Sequence, residues 1–213
     1  MTPAQQSAEA LKICRLAPVV PVLIVEDLAH ARPLAEALVT GGLPALEVTL
    51  RTPCALDAIR AMADVPGGVV GAGTLLTAAD VKAAKKAGAR FGVSPGSSPA
   101  IIQACQDEGL PLLPGAVTAT EIMALLEQGY TVQKFFPAEQ SGGAAFLKSI
   151  GSPIPQVSFC PTGGVSLKNA PDYLSLKNIL CVGGSWVAPK EAMVRGDWAA
   201  ITTLAAEAAR LRA

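Results

Sequence analysis

The sequence predicts an α/β protein of the (β/α)8 TIM barrel class with an extra N-terminal helix, a single domain over residues 1–213. Short β-branched runs alternate with alanine-rich segments of helical period, the pattern that gives parallel strands joined by crossover helices. About eight such strand–helix units fit into 213 residues, a little under the ~250 typical of this barrel. A doubly wound open sheet would more usually have about five or six strands and a G-x-G-x-x-G after the first, which is absent here.

Taken in order, "QQSAEALKICRL" (5–16) opens the chain as a helix, and "VVPVLIV" (19–25) and "ALEVTL" (45–50) read as the first two strands. "VVGAGT" (69–74) is the third strand and "AADVKAAKKAGA" (78–89) the helix after it. "RFGVSP" (90–95) and "PLLPGA" (111–116) are the fourth and fifth strands, followed by "ATEIMALLEQG" (119–129), a helix running to a glycine suited to its C-terminal cap. "TVQKFFP" (131–137), "VSFCPTG" (157–163) and "ILCVGGS" (179–185) complete the strands, and the amphipathic "WAAITTLAAEAARLR" (198–212) closes the chain. Gly, Pro, Thr and Ser punctuate the joints, and no linker or low-complexity segment interrupts them.

Composition narrows the function. Hydrophobic residues are 51% of the chain and charged ones 16%, enough for one substantial core. Seventeen basic residues balance seventeen acidic ones without a Lys/Arg-rich block, which argues against nucleic acid or an anionic membrane and for a small-molecule partner. The N-terminus has no signal-type segment, and its apolar stretch falls short of the ~18–20 residues of a bilayer span, so a cytoplasmic protein is expected. Cys14, Cys54, Cys105, Cys160 and Cys181 are scattered without a C-x-x-C, which favours small buried hydrophobes over disulfides or a zinc site. His30, the only histidine, rules out a multi-histidine metal centre within one chain, and its place at a helix start suggests a surface or capping role.

Candidate chemistry is sought at the C-terminal ends of the strands. In "TVQKFFPA" a cation interrupts an apolar run: with period two, Val132, Lys134 and Phe136 share one face and Thr131, Gln133 and Phe135 the other. Burial disfavours the ammonium form, so an inward Lys134 is either an amine nucleophile able to form an imine or half of a buried ion pair. "LEVTLR" puts Glu47, Thr49 and Arg51 on one face, where a carboxylate can move protons and an arginine can grip a carboxylate or phosphate. Two inward cations against one anion leave a positive surplus that suits an anionic substrate. Gly71 and Gly73 thin the wall before Thr74, whose hydroxyl stands at the rim, and Pro95 in "SPG" can only shape the wall. "CPTGG" (160–164) and "VGGS" (182–185) follow the last two strands, where barrels often bind phosphate through backbone N–H groups, with Thr162 and Ser185 beside them. Together these features fit an imine-forming aldolase acting on a phosphorylated 2-oxo acid.

"LEVTLRT", "GAGT", "SPG", "KFFPAE", "FCPTGG" and "VGGSW", in this order and spacing, resemble the 2-keto-3-deoxy-6-phosphogluconate (KDPG) aldolases, a family that includes 4-hydroxy-2-oxoglutarate (KHG) aldolase activity. The resemblance runs from about residue 10 to the closing helix. It implies a homotrimeric class I lyase of the Entner–Doudoroff pathway, working without metal or cofactor, that cleaves KDPG to pyruvate and glyceraldehyde 3-phosphate. It further implies that Lys134 is the Schiff-base lysine and Glu47 the general acid/base. Arg51 and Thr74 would hold the pyruvate carboxylate, with Pro95 and Phe136 lining the pocket and Thr162 near the substrate chain. Gly163, Gly164, Gly184 and Ser185 would receive the phosphate. Gln133 stands where many relatives have an aromatic residue, on the face turned from the substrate. Two alternatives stay open from the residues alone: a barrel epimerase or decarboxylase, which would usually want metal ligands or paired aspartates, and a binding barrel in which Lys134 and Glu47 are a structural pair.

Overall fold

The computed structural model describes residues 1–211; Ala213 and Arg212, the last residue of the expected closing helix, lie outside them. In chain order the elements are α1 (Pro3–Cys14), β1 (Val19–Leu23), α2 (Ala31–Thr40), β2 (Ala45–Thr49), α3 (Ala55–Ala63), β3 (Val69–Gly73), α4 (Ala78–Lys86), β4 (Gly92–Val93), α5 (Pro99–Glu108), β5 (Leu112–Leu113), β6 (Gly115–Ala116), α6 (Ala119–Glu127), β7 (Val132–Phe135), α7 (Gly143–Ile150), β8 (Ser158–Pro161), α8 (Ala170–Leu174), β9 (Val182–Gly184), α9 (Lys190–Arg195) and α10 (Trp198–Ala209). This is an α/β fold whose strands form a curled parallel sheet.

Six strands run in the order β5-β4-β3-β2-β1-β9 and three more as β6-β7-β8, every pairing parallel. Two isolated parallel bridges, Phe159 to Ile179 and Thr162 to Gly183, join β8 to the segment of β9. The expected fifth strand is split into β5 and β6 at Pro114, which has no N–H to give to a ladder. The Pro114 carbonyl is still used, accepting the Lys134 N–H at 2.8 Å.

Local chemistry sets the helix ends. Thr77 with Asp80 and Thr118 with Glu121 form reciprocal capping boxes at α4 and α6. The Thr118 and Val117 N–H groups hold the Glu121 carboxyl below its usual range. α6 stops before Gly129, whose φ of 103° lets Tyr130 N–H return to the Leu125 carbonyl at 3.0 Å. α1 starts two residues ahead of expectation because Thr2 caps it in a box with Gln5 and Pro3 fills the first turn.

Two apolar layers follow from strand alternation. Leu46 and Val48 of β2 and Phe135 of β7 pack outward with helix residues such as Leu34, Ile59 and Ile122. Ala45, Val93, Leu113, Val132 and Cys160 point inward and meet Ala10 and Cys14 of α1. α1 is fastened there by Ser7, whose Oγ accepts the Thr131 and Val132 N–H groups at 3.0 Å each. Cys14, Cys105, Cys160 and Cys181 are buried, and burial pushes the Cys105 thiol up to about 12. Cys54 is half-buried and donates to the Val25 carbonyl at 3.1 Å. His30 precedes α2 but makes no side-chain cap; its ring packs edge-on against Trp198 at 5.6 Å. No helix among the described residues is long and apolar enough to cross a membrane.

Candidate active site

The face of β7 is decided by its neighbours. Lys134 pairs in register with Gly115 of β6 and Cys160 of β8, and it shares the inward face with Val132. Gln133 turns outward, where its Nε2 donates to the Ile122 and Tyr130 carbonyls at 3.1 and 3.0 Å, so this position serves helix packing. Phe135 also turns outward and stacks on Phe146 of α7 with centroids 5.2 Å apart.

On β2, Ala45 is inward and Glu47 follows two residues on. Lys134 Nζ donates to Glu47 Oε1 at 3.1 Å, and the two side chains are 6% and 4% exposed. Gly73 makes room for the carboxylate: a Cβ there would meet Glu47 Cγ at 2.7 Å and Oε1 closer still. Beyond Glu47, Thr49 Oγ1 donates to the Leu23 carbonyl at 2.7 Å. Removing one partner of a buried pair leaves an uncompensated charge at a cost of about 3–5 kcal/mol, whereas the intact pair contributes little net stability. The Lys134 nitrogen and the Glu47 carboxylate thus lie buried at a distance across which a proton can pass. The half-buried Phe136 ring lies 5.3 Å from Lys134 Nζ.

The other candidates stand at strand ends. β2 stops at Thr49, so alternation no longer governs Arg51, which sits in the following turn, exposed and without an ion-pair partner among the described residues. Thr74, just past β3, has φ 61°, a left-handed conformation that is costly for a β-branched residue. Pro95 is half-buried past β4, its carbonyl against Gly115. Thr162 is 6% exposed, bridges to Gly183, and has its Oγ1 buried with no hydrogen-bond partner among the described residues. Gly163 and Gly164 follow with φ of 100° and 74°. Gly184 is covered by the Trp186 ring, and Ser185 is exposed on a cleft of about 580 Å³ that also touches Glu26, His30 and Lys190. Lys134, Glu47 and Phe136 are thus brought together, while Arg51, Thr74 and Ser185 make no hydrogen bond to the buried pair. No cluster of three or more metal-ligating side chains occurs among the described residues.

Three contacts near the last turns had no sequence signal of their own. Glu139, in the quoted "KFFPAE", accepts the Tyr173 hydroxyl, and burial together with that carboxylate pushes the Tyr173 pKa upward. Glu139 N–H donates to the Gly163 carbonyl at 3.1 Å, and Asn169 Nδ2 to the Gly164 carbonyl at 3.1 Å. Their partners are main-chain atoms or residues distant in sequence, which no local motif announces.

Known proteins are similar to this chain in sequence and fold. The profile of the KDPG and KHG aldolases matches residues 11–204. The KHG/KDPG aldolase of Escherichia coli K12 is 50% identical over 203 residues, 95% of this chain and 94% of that one. The crystal structure of the KDPG aldolase of Zymomonas mobilis ZM4 with 3-phosphoglycerate superposes with a TM-score of 0.89 at 52% identity, covering 94% of this chain and 95% of that one. The KDPG aldolase of Legionella pneumophila, with pyruvate captured at low pH as a covalent carbinolamine intermediate, gives a TM-score of 0.90 at 44% identity, covering 93% and 97%. The identity extends along nearly the whole chain, and the chain belongs to the KDPG and KHG aldolase family.

Proposed function

We propose that this protein is a class I, Schiff-base lyase that cleaves KDPG to pyruvate and glyceraldehyde 3-phosphate, and also 4-hydroxy-2-oxoglutarate to pyruvate and glyoxylate. The observation that carries the reading is the buried pair, Lys134 Nζ 3.1 Å from Glu47 Oε1, on the inner face of a curled parallel sheet. The names of the E. coli and Zymomonas relatives and the carbinolamine in the Legionella enzyme support the same chemistry.

In the mechanism, the neutral amine of Lys134 attacks the C2 ketone, and Glu47 supplies and takes the protons needed to expel water and leave a cationic imine. Glu47, directly or through a water, then removes the C4 hydroxyl proton. The C3–C4 bond breaks, its electron pair flows into the imine, and glyceraldehyde 3-phosphate departs from an enamine. Protonation at C3 and hydrolysis release pyruvate and restore the amine. Arg51 and Thr74 hold the pyruvate carboxylate, Pro95 and Phe136 wall the pocket, and Thr162, whose buried hydroxyl has no hydrogen-bond partner among the described residues, contacts the substrate chain. Gly163, Gly164, Gly184 and Ser185 receive the phosphate through main-chain N–H and hydroxyl donors.

The finer architecture belongs to the same reading: one (β/α)8 barrel domain, with α1 as an extra helix beneath the ring. The bridges from β8 to β9 and the one-residue gap at Pro114 between β5 and β6 support closure. A homotrimer in the cytoplasm completes the proposal, with the exposed Ile24 and Val194 on the rim of one cleft as contact candidates. A sedimentation mass other than three times 21.7 kDa would remove the trimer.

The direct test is to incubate the protein with pyruvate, reduce with borohydride and map the adduct by peptide mass. An adduct on Lys134 is expected without added metal, and Lys134→Met should lose both adduct and turnover. Near-normal turnover by Lys134→Met would remove the imine mechanism and leave the pair as a structural one.

A further inference from the structure

Three consecutive carbonyls in the turn after β8 are tied down. Ala138 N–H donates to the Thr162 carbonyl at 2.8 Å, Glu139 N–H to the Gly163 carbonyl at 3.1 Å, and Asn169 Nδ2 to the Gly164 carbonyl at 3.1 Å. A trans peptide is planar, with its C=O and N–H pointing in opposite directions. Each engaged carbonyl therefore aims the following N–H, that of Gly163, Gly164 and Val165, away from the group that holds it. None of these three N–H groups donates to an acceptor among the described residues. Beside them Thr162 Oγ1 is buried and also lacks a partner there.

Asn169 is fixed in the role it plays. Its Oδ1 accepts the Ser166 N–H at 2.7 Å and the Ser166 hydroxyl at 3.1 Å, which leaves Nδ2 to face Gly164. The opposite side of the turn is backed by Glu139, whose side chain lies so close to Gly164 that a Cβ there would meet its Cγ at 2.6 Å. The turn is thus held from two sides, by Asn169 and by Glu139.

The geometry points to Asn169 as a positioning residue: by holding the Gly164 carbonyl it keeps the Val165 N–H, the last of the three free N–H groups, turned toward the phosphate end of the substrate. This rests on the reading that the Gly163–Gly164 turn receives the phosphate. Successive main-chain N–H groups bind an anion only while their orientation is maintained, and without Asn169 the peptide after the left-handed Gly164 is the one in the row left without a tie.

The test compares KDPG with 2-keto-3-deoxygluconate, the same carbon skeleton without the phosphate, in steady-state kinetics. Asn169→Ala should raise KM for KDPG roughly five- to tenfold, the scale of one lost hydrogen bond, with kcat within about twofold. KM for the unphosphorylated substrate and pyruvate trapping on Lys134 should not change. Asn169→Asp keeps the acceptor for Ser166 but lacks the Nδ2 donor, so it should fold and show the same loss for KDPG alone. Equal losses on both substrates, an unchanged KM for KDPG, or failure of Asn169→Asp to fold would each overturn the role. A wild-type protein that binds both substrates equally well would remove the phosphate reading itself, before any variant is made.

Discussion

Thr74 is the only non-glycine residue with positive φ among the described residues, and it follows the strand whose Gly73 makes way for Glu47. Holding a β-branched residue in this conformation costs about 1–3 kcal/mol, a strain that persists where a site requires the side chain in that place. Replacing it with glycine removes the strain but adds roughly 0.5–1 kcal/mol of backbone entropy to the unfolded chain. Thr74→Gly should therefore melt at the wild-type temperature or a few degrees above it, while its KM for the 2-oxo acid rises several-fold. A lower melting temperature with unchanged KM would mean that the conformation serves packing alone. At this scale the sequence is most legible where period-two alternation applies: it sets Lys134 on the face of Val132 and Glu47 on the face of Thr49, and the structure turns Lys134 and Glu47 inward to meet. Arg51 was counted onto the same face as Glu47, but β2 ends at Thr49 and the count has no force in the turn beyond. The Asn169 contact that matters for the turn has no sequence signal, because the Gly164 carbonyl is presented by the folded main chain, and the local Ser166–Asn169 pairing does not reveal where Nδ2 points.

Elements were legible where their ends carry chemistry. The helix expected over 119–129 is α6, with Thr118 at one end and Gly129 past the other, and the strand expected over 69–74 is β3, ended by the turn at Thr74. Boundaries moved where a single residue overrode the apolar pattern. Pro114 sits inside a run of strand-like residues and divides it, and Pro3 with Thr2 extends α1 toward the N-terminus. His30 shows the limit of a positional rule: it occupies the residue before α2, yet its ring is engaged by Trp198 of α10, an element 168 residues away in sequence. The amphipathic period of α10 said that one face is buried, but not against what.

The whole molecule depends on coupling between its first helix and the strands. Ala10 and Cys14 of α1 pack among inward residues of β1, β2, β4, β5, β7 and β8, so α1 fills one end of the interior whose other end carries the lysine and carboxylate. Ser7 is the polar part of that attachment, accepting two N–H groups at the start of β7, one of them on the buried Val132. Leaving a buried N–H without its acceptor costs about 1–3 kcal/mol, so Ser7→Ala should lower the urea midpoint without changing the slope. Trp186 follows β9 and Trp198 opens α10, at the other end of the chain from Ser7, and their fluorescence reports a different region from the helix content seen by circular dichroism. If residues 1–211 unfold as one unit, both signals should shift together by the same amount at fixed protein concentration. A dichroism transition that moves to lower urea while the tryptophan transition stays in place would show that α1 and β7 open independently of the β9–α10 side. In that case the single-domain reading would fail, and the fixed position of Lys134 would have to come from its strand neighbours Gly115 and Cys160 rather than from the filled interior beneath it.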